Sequence, residues 1–293
     1  MDIQNTTGQS TRRFSTKSEL AARINKALNN IGTPAETTSN HKGLFIAFEM
    51  GERSDKSTQA KMLDQWLRRL GINVVLTREP GGTDAGRTIR RLLLELKGME
   101  LTKKAELLLF LADRAQHVET VIEPALERGA VVICDRYAGS TLAYQCYAGG
   151  LDLTFVKSAS AWAASCIKPD VTYFLDIAAD WGLERARANK PNRFEKKDLA
   201  YHEAVRAGFE TIADDDKSWQ TIWTADDEKR VHGLIATHAM GLVEQMLLSK
   251  PKKSEPMPVH CPYCDSEMAR EHPLYLKYRC PKGHGKFVFE TDV

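Results

Sequence analysis

The sequence predicts a three-layer α/β fold with a mostly parallel sheet, and three observations predict it. Short apolar runs alternate with helical runs from Gly43 to about Leu248. The first run is continuously apolar, as in a parallel strand covered on both faces. Charged segments follow the first three runs, and ligands bind beyond the carboxyl ends of the strands in such sheets.

Residues 1–41 form a polar extension with Thr, Ser and Asn throughout. Within it Ser18 to Ile31 reads as an amphipathic helix. Leu20, Ile24, Leu28 and Ile31 share one face, Ser18 can cap the start, and Gly32 with Pro34 ends it. Such a helix packs on the main domain or docks a protein partner.

Leu44 to Phe48 reads as the first strand and Gln59 to Leu70 as the helix after it. Between them the chain runs MGERSDKST. This is the strand–loop–helix setting of a phosphate-binding loop, in which backbone N–H groups and a helix N-terminus face the phosphates. Gly51, Ser54, Lys56, Ser57 and Thr58 are the candidate nucleotide contacts; Lys56 would neutralise charge and Ser57 would hold Mg²⁺. The pattern G-x-x-x-x-G-K-[ST] asks for glycine at 50 and 55, where the chain has Met50 and Asp55. Met50 puts a side chain where a tight turn often demands positive φ. Asp55 puts negative charge beside a phosphate or captures Lys56.

Asn73 to Thr77 reads as the second strand, leading into Arg78-Glu79-Pro80-Gly81-Gly82-Thr83. The longest helical run follows, about Lys103 to Glu127. The third strand, Val131 to Asp135, ends in Asp135-Arg136-Tyr137, with Ser140, Tyr144 and Gln145 beyond. An acid there suits Mg²⁺ or its water shell, and the next arginine suits a phosphate; the plainer alternative is an ion pair joining two loops. Val171 to Asp176 and Trp219 to Trp223 complete the strands. Between them Glu184 to Glu195 carries Arg185, Arg187 and Arg193 and is broken by Pro191. It is a solvated face or an arginine-bearing flap over a polyphosphate.

The composition bounds the rest. With 293 residues, 42% of them hydrophobic, the chain can bury a substantial core and hold more than one domain. A net charge of +2 predicts no strong affinity for nucleic acid or membranes. No apolar run is long enough to span a bilayer, and the N-terminus has no secretory core region, so a cytoplasmic setting is expected. Cys134, Cys146 and Cys166 are scattered, as packed apolar thiols are in a reducing compartment.

The composition changes near Ser249. The expected division is an α/β domain over 42–249, a Lys- and Pro-rich linker over 250–259, and a zinc ribbon over 260–293. Cys261 with Cys264 and Cys280 with His284 form two ligand pairs on two turns, the donor set of a tetrahedral zinc site. So small a tail needs such a staple. His260 and His272 compete for the fourth position; His284 is favoured because its pairing with Cys280 mirrors the first pair. Residues 261–293 hold five basic and five acidic side chains, which argues against a nucleic-acid footprint.

With these segments assembled, residues from about 42 to 246 resemble the thymidylate kinase family. The resemblance rests on FEMGERSDKSTQAKML, VLTREPGGT, AELLLFLADRAQHVETVIEPAL, VVICDRYAGSTLAYQ, KPDVTYFLDI and NRFEKKDLAYHEAVRAGF. It implies a P-loop nucleoside monophosphate kinase fold, usually dimeric, that moves the γ-phosphoryl group of ATP to dTMP with Mg²⁺. It further implies that Lys56 and Ser57 serve the phosphates and the metal, that Glu52 reaches the acceptor sugar, and that Arg53 is a catalytic loop arginine, alongside lid arginines. Phe110 would stack on thymine, Arg114 would bind the acceptor, and Asp135 and Arg136 would serve the metal and the acceptor phosphate. Ser140, Tyr144 and Gln145 would line the base and sugar, and Phe194 would cover the base. Asn192 stands where the family usually has an acid before Arg193. Two other readings belong to different classes: a non-catalytic nucleotide-binding scaffold, and a nucleic-acid-associated module acting through the ribbon.

Overall fold

The computed structural model describes residues 41–51, 56–95, 100–181, 192–224 and 227–248, with three short strands beyond. The N-terminal helix expected at Ser18 to Ile31 lies outside the described residues. The chain divides into two compact units, Met1–Leu247 and Leu248–Val293.

The first unit is built on five strands: β1 (Leu44–Glu49), β2 (Val74–Arg78), β3 (Val131–Asp135), β4 (Val171–Asp176) and β5 (Trp219–Trp223). They pair in the order β2-β3-β1-β4-β5, and every pairing is parallel. The central strand is buried along its whole length. Its residues alternate between two cores. Leu44, Ile46 and Phe48 pack with Leu63, Leu67, Ile235 and Val243 on one face. Phe45 and Ala47 pack with Val118, Ile122 and Leu126 on the other. Apolar side chains on both faces of one strand are the physical reason for the sandwich of helices.

Among the described residues the helices of this unit are α1 (Lys56–Arg69), α2 (Asp84–Leu94), α3 (Lys103–His117), α4 (Glu123–Glu127), α5 (Ala138–Thr141), α6 (Leu153–Ala163), α7 (Leu199–Asp215) and α8 (Glu228–Leu248). Side-chain caps start four of them. Thr83, Thr102, Asp152 and Asp198 each accept a backbone N–H from the first turn. The long run expected from Lys103 is not one α-helix. A π-helical turn, Val118–Ile122, separates α3 from α4. Pro124 sits in the first turn of α4 and has no N–H to continue the ladder, while the Thr120 hydroxyl bonds back to the Gln116 carbonyl at 2.6 Å. A second π-helical turn, Leu142–Tyr147, follows α5.

Two expectations are corrected. Met50 does not take a positive φ: among the described non-glycine residues only Arg136, Ser165 and Cys166 do. Its side chain is instead fully buried in the core beside Phe48. Of the scattered thiols, Cys134 and Cys146 are buried as expected, but Cys166 is exposed. It lies past the end of α6 in a left-handed turn with φ 59°, which carries its side chain off the packed face.

The second unit contains β6 (Ala269–Arg270), β7 (Lys277–Arg279) and β8 (Lys286–Val288). They form a three-stranded antiparallel sheet in the order β6-β7-β8. Cys261, Cys264, Cys280 and His284 lie outside the described residues. Among the described residues no group of His, Cys, Asp and Glu is placed to hold a metal, and no helix is long and apolar enough to cross a membrane.

Candidate active site

The carboxyl ends of β1, β2 and β3 converge on a cavity of about 350 Å³, a size that suits a small-molecule ligand. Its cations are Lys56, Arg78, Arg90, Arg114 and Arg136, and its aromatic wall is Phe110, Tyr137, Tyr144 and Phe194. A ligand that is anionic at one end and flat and apolar at the other fits this lining.

One side of the cavity carries Lys56, Ser57 and Asp135. The Ser57 hydroxyl donates to Asp135 Oδ2, and Lys56 Nζ lies 3.9 Å from Asp135 Oδ1. Burial works to raise the Asp135 carboxyl, but Lys56, the Ser57 hydroxyl, Arg136 and Arg78 outweigh it and hold the group below its ordinary value. Asp135 Oδ1 is buried and accepts no hydrogen bond among the described residues. An ionised, under-satisfied carboxylate oxygen beside a hydroxyl is a hard oxygen donor set, and it fits Mg²⁺.

Arg136 sits at the centre. It is held at φ 74°, uncommon for a long side chain. Its N–H donates to the Phe48 carbonyl at 2.9 Å. Nη1 donates to the Met50 carbonyl and to Ser140 Oγ, both at 2.9 Å. Nη2 reaches the Gly51 carbonyl and Tyr144 Oη at 3.3 Å each, and the guanidinium lies over the Tyr144 ring. The guanidinium therefore ties β3 to the start of the phosphate-binding loop. Arg78 and Arg90 face the same space. Burial lowers the Arg90 pKa, and Arg78 and Arg136 lower it further. Cations crowded in this way are relieved by an anion.

The floor is a buried polar cluster. Arg114 Nε donates to Glu79 Oε2 at 2.9 Å, Nη1 to Ser160 Oγ at 2.6 Å and Nη2 to Thr141 Oγ1 at 3.0 Å. His117 Nδ1 lies 3.0 Å from Glu79 Oε1, and its Nε2 lies 2.6 Å from Thr77 Oγ1. Burial raises the neighbouring Asp113 carboxyl to about 6, and Glu79 adds to the rise. Arg114 is thus both a lining residue and a structural anchor for the segment that carries Arg78.

The wall brings Phe110 and Phe194 together with ring centres 6.3 Å apart, and Tyr144 meets Phe194 edge-on at 5.8 Å. Gln145 Nε2 donates to Glu106 Oε1 at 3.0 Å, and Arg193 pairs with the same carboxylate while lying over Phe194. The π-helical turn lets the consecutive residues Tyr144 and Gln145 both line the cavity. Asn192 Oδ1 accepts the backbone N–H groups of Phe194 and Glu195 at 2.8 and 3.1 Å. An amide oxygen there serves the turn as a carboxylate oxygen would.

Lys56, Ser57, Thr58, Arg78, Phe110, Arg114, Asp135, Arg136, Ser140, Tyr144, Gln145 and Phe194 all line this cavity. Gly51 joins it through its carbonyl bond to Arg136, and Arg193 through Glu106. Glu52, Arg53, Ser54, Arg185 and Arg187 lie outside the described residues. Glu79, Arg90, Tyr137, Thr141, Asn192 and Glu195 also line the cavity and carry no site role in the sequence reading, and Glu49 is buried behind it. Glu79 was legible as the charged partner of Arg78 in the second strand-end loop. Arg90 carried no signal beyond being one of several arginines on a helix.

A family model for thymidylate kinase matches residues 48–235. The thymidylate kinase of Roseiflexus castenholzii is 42% identical over 224 residues, 71% of this chain and 96% of that one. The thymidylate kinase of Halothermothrix orenii is 46% identical over 178 residues, 59% of this chain and 86% of its own. The crystal structure of thymidylate kinase from Ehrlichia chaffeensis matches with a TM-score of 0.57 and 32% identity, covering 68% of this chain and 98% of that one. The family-model match spans every residue that lines the cavity, from Lys56 to Glu195, and the chain belongs to the thymidylate kinase family.

Proposed function

We propose that the chain transfers the γ-phosphoryl group of ATP to dTMP, giving dTDP and ADP. The observation that carries this is the cavity itself, with an arginine cluster at one end and an aromatic wall at the other, within a chain of this family. A phosphate oxygen of dTMP attacks the γ-phosphorus, and the bond from that phosphorus to the β,γ-bridging oxygen breaks. The attacking oxygen is already anionic, so no general base is needed. Arg136, with Arg78 and Arg90, holds the acceptor phosphate, and Phe110 with Phe194 holds the base. Lys56 neutralises the donor phosphates. Ser57 and Asp135 would hold Mg²⁺, which when bound neutralises charge on the transferring group. Arg53, Arg185 and Arg187 are proposed to reach the same group from the loop and the flap, and Glu52 the acceptor sugar.

Turnover is proposed to be slow for the family, because the loop has Asp55 where the phosphate-binding pattern asks for glycine, and a carboxylate there would repel a phosphate or compete for Lys56. A coupled assay of ADP release across nucleoside monophosphates tests the reading. dTMP is expected to be the preferred acceptor, and Lys56→Ala is expected to abolish turnover. Activity unchanged in Lys56→Ala would remove this loop as the ATP site.

Two further features complete the reading. A homodimer is supported by large apolar side chains left in solvent on α3 and α6: Leu108 at 61% exposure, Phe155 at 61% and Trp162 at 80%. A structural zinc ion in the second unit is supported by the order of its parts. Cys261 and Cys264 precede β6, and Cys280 and His284 fall between β7 and β8.

A further inference from the structure

We infer that Glu49 is a positioning residue for the acceptor phosphate, acting through Ser140 on Arg136; the inference rests on the kinase reading above. Glu49 ends β1, is 1% exposed and does not line the cavity. Its carboxylate nevertheless takes three hydrogen bonds from the segment just after Arg136. Oε1 accepts the N–H of Tyr137 at 2.9 Å and the N–H of Ser140 at 3.0 Å. Oε2 accepts the Ser140 hydroxyl at 2.6 Å.

These bonds have two consequences for Arg136. The first concerns its backbone. A long side chain at φ 74° persists only where the surroundings hold it there. The Phe48 carbonyl holds the Arg136 N–H on one side, and Glu49 holds the N–H groups of Tyr137 and Ser140 on the other. Consecutive residues of β1 therefore clamp the strained turn. The second concerns its side chain. Ser140 gives its hydroxyl hydrogen to Glu49, which turns the oxygen's lone pairs toward Arg136 Nη1 at 2.9 Å. The guanidinium that faces the acceptor phosphate is thus aimed by a carboxylate that never reaches the cavity.

The arrangement requires a carboxylate rather than an amide. Three donors converge on two oxygens. A glutamine has one oxygen, so in either orientation its NH₂ group meets a donor or competes with Arg136 for Ser140 Oγ. Glu49→Gln keeps the volume, removes the carboxylate, and so disturbs both the clamp on the turn and the aim of Arg136.

The test uses the full-length protein as wild type, Glu49→Gln and Ser140→Ala. Steady-state kinetics for both substrates, melting temperature and calorimetric titration of dTMP without ATP are read for each. Glu49→Gln is expected to raise the KM and Kd for dTMP at least tenfold, with the KM for ATP within twofold of wild type. Ser140→Ala is expected to act in the same direction on dTMP alone. A dTMP Kd within twofold of wild type in Glu49→Gln overturns the inference, as does an equal rise in both KM values, which marks general distortion. If Glu49→Gln does not fold, Ser140→Ala decides by the same criteria. Wild type that binds dTMP without turning it over overturns the kinase reading, while the Kd ratios still decide the role of Glu49; wild type that binds no dTMP overturns both.

Discussion

Arg114 Nε donates to Glu79 Oε2 at 2.9 Å, with the two side chains 2% and 5% exposed. The pair joins α3 to the segment after β2, beneath the acceptor cavity. Ser160 accepts from Nη1 and Thr141 from Nη2 of the guanidinium, and His117 approaches the second carboxylate oxygen. A buried pair with its hydrogen bonds filled is costly to break from one side, because the survivor is left as an uncompensated charge. Glu79→Ala is expected to destabilise the first unit by about 3–5 kcal/mol. Denaturant unfolding followed by circular dichroism measures it, and a loss below about 1 kcal/mol would show that the cluster rearranges around the gap.

Phe110 offers a half-buried ring to the cavity opposite Phe194. Phe110→Ala is expected to weaken dTMP binding by about 1–3 kcal/mol, through lost stacking and apolar contact. ATP affinity is expected to stay near wild type. Calorimetric titration of each nucleotide alone provides the comparison.

Asp113 makes stability depend on pH. Its carboxyl rises from 3.8 to about 6 on folding, first through burial and then through Glu79. The folded state therefore holds the proton more tightly than the unfolded state. The contribution is fully present below the unfolded value and is lost as pH rises through about 6. Asp113→Asn keeps an acceptor for the Gly81 N–H, which Asp113 Oδ1 now takes at 2.9 Å. The variant is expected to gain stability relative to wild type at pH 8 and little at pH 4. Unfolding free energies at the two pH values, with a larger difference at pH 4, would reverse the assigned sign.

The second unit is expected to bind one zinc ion per chain. A strong chelator is expected to unfold it and to leave the parallel-sheet unit folded, since metal binding supplies most of the folding free energy of so small a module. Elemental analysis of protein prepared without chelator, and near-ultraviolet spectra before and after chelation, are the measurements. Metal-free protein whose second unit resists proteolysis would rule the zinc site out.

The central strands β1, β3 and β4 were legible because a strand covered on both faces is largely apolar, and that demand is written locally. β3, β4 and β5 fall where their residues predict, and β1 and β2 differ only at their ends. The order of chemistry along the chain was legible for the same local reason. Lys56-Ser57, Arg78-Glu79 and Asp135-Arg136 each follow a strand, and parallel strands bring their carboxyl ends to one edge. The tertiary structure alone decided how those residues are held. Glu49 meets Ser140 across 91 residues of sequence, Arg114 meets Glu79 across 35, and Arg136 meets the Met50 carbonyl across 86. No local pattern encodes such partners, because hydrogen-bond geometry depends on where separate elements come to rest. Met50 shows the same division. The sequence marks it as an intruder in a glycine position, whereas packing lets its side chain turn into the core beside Phe48, where a methionine's flexible stem fills space at little strain.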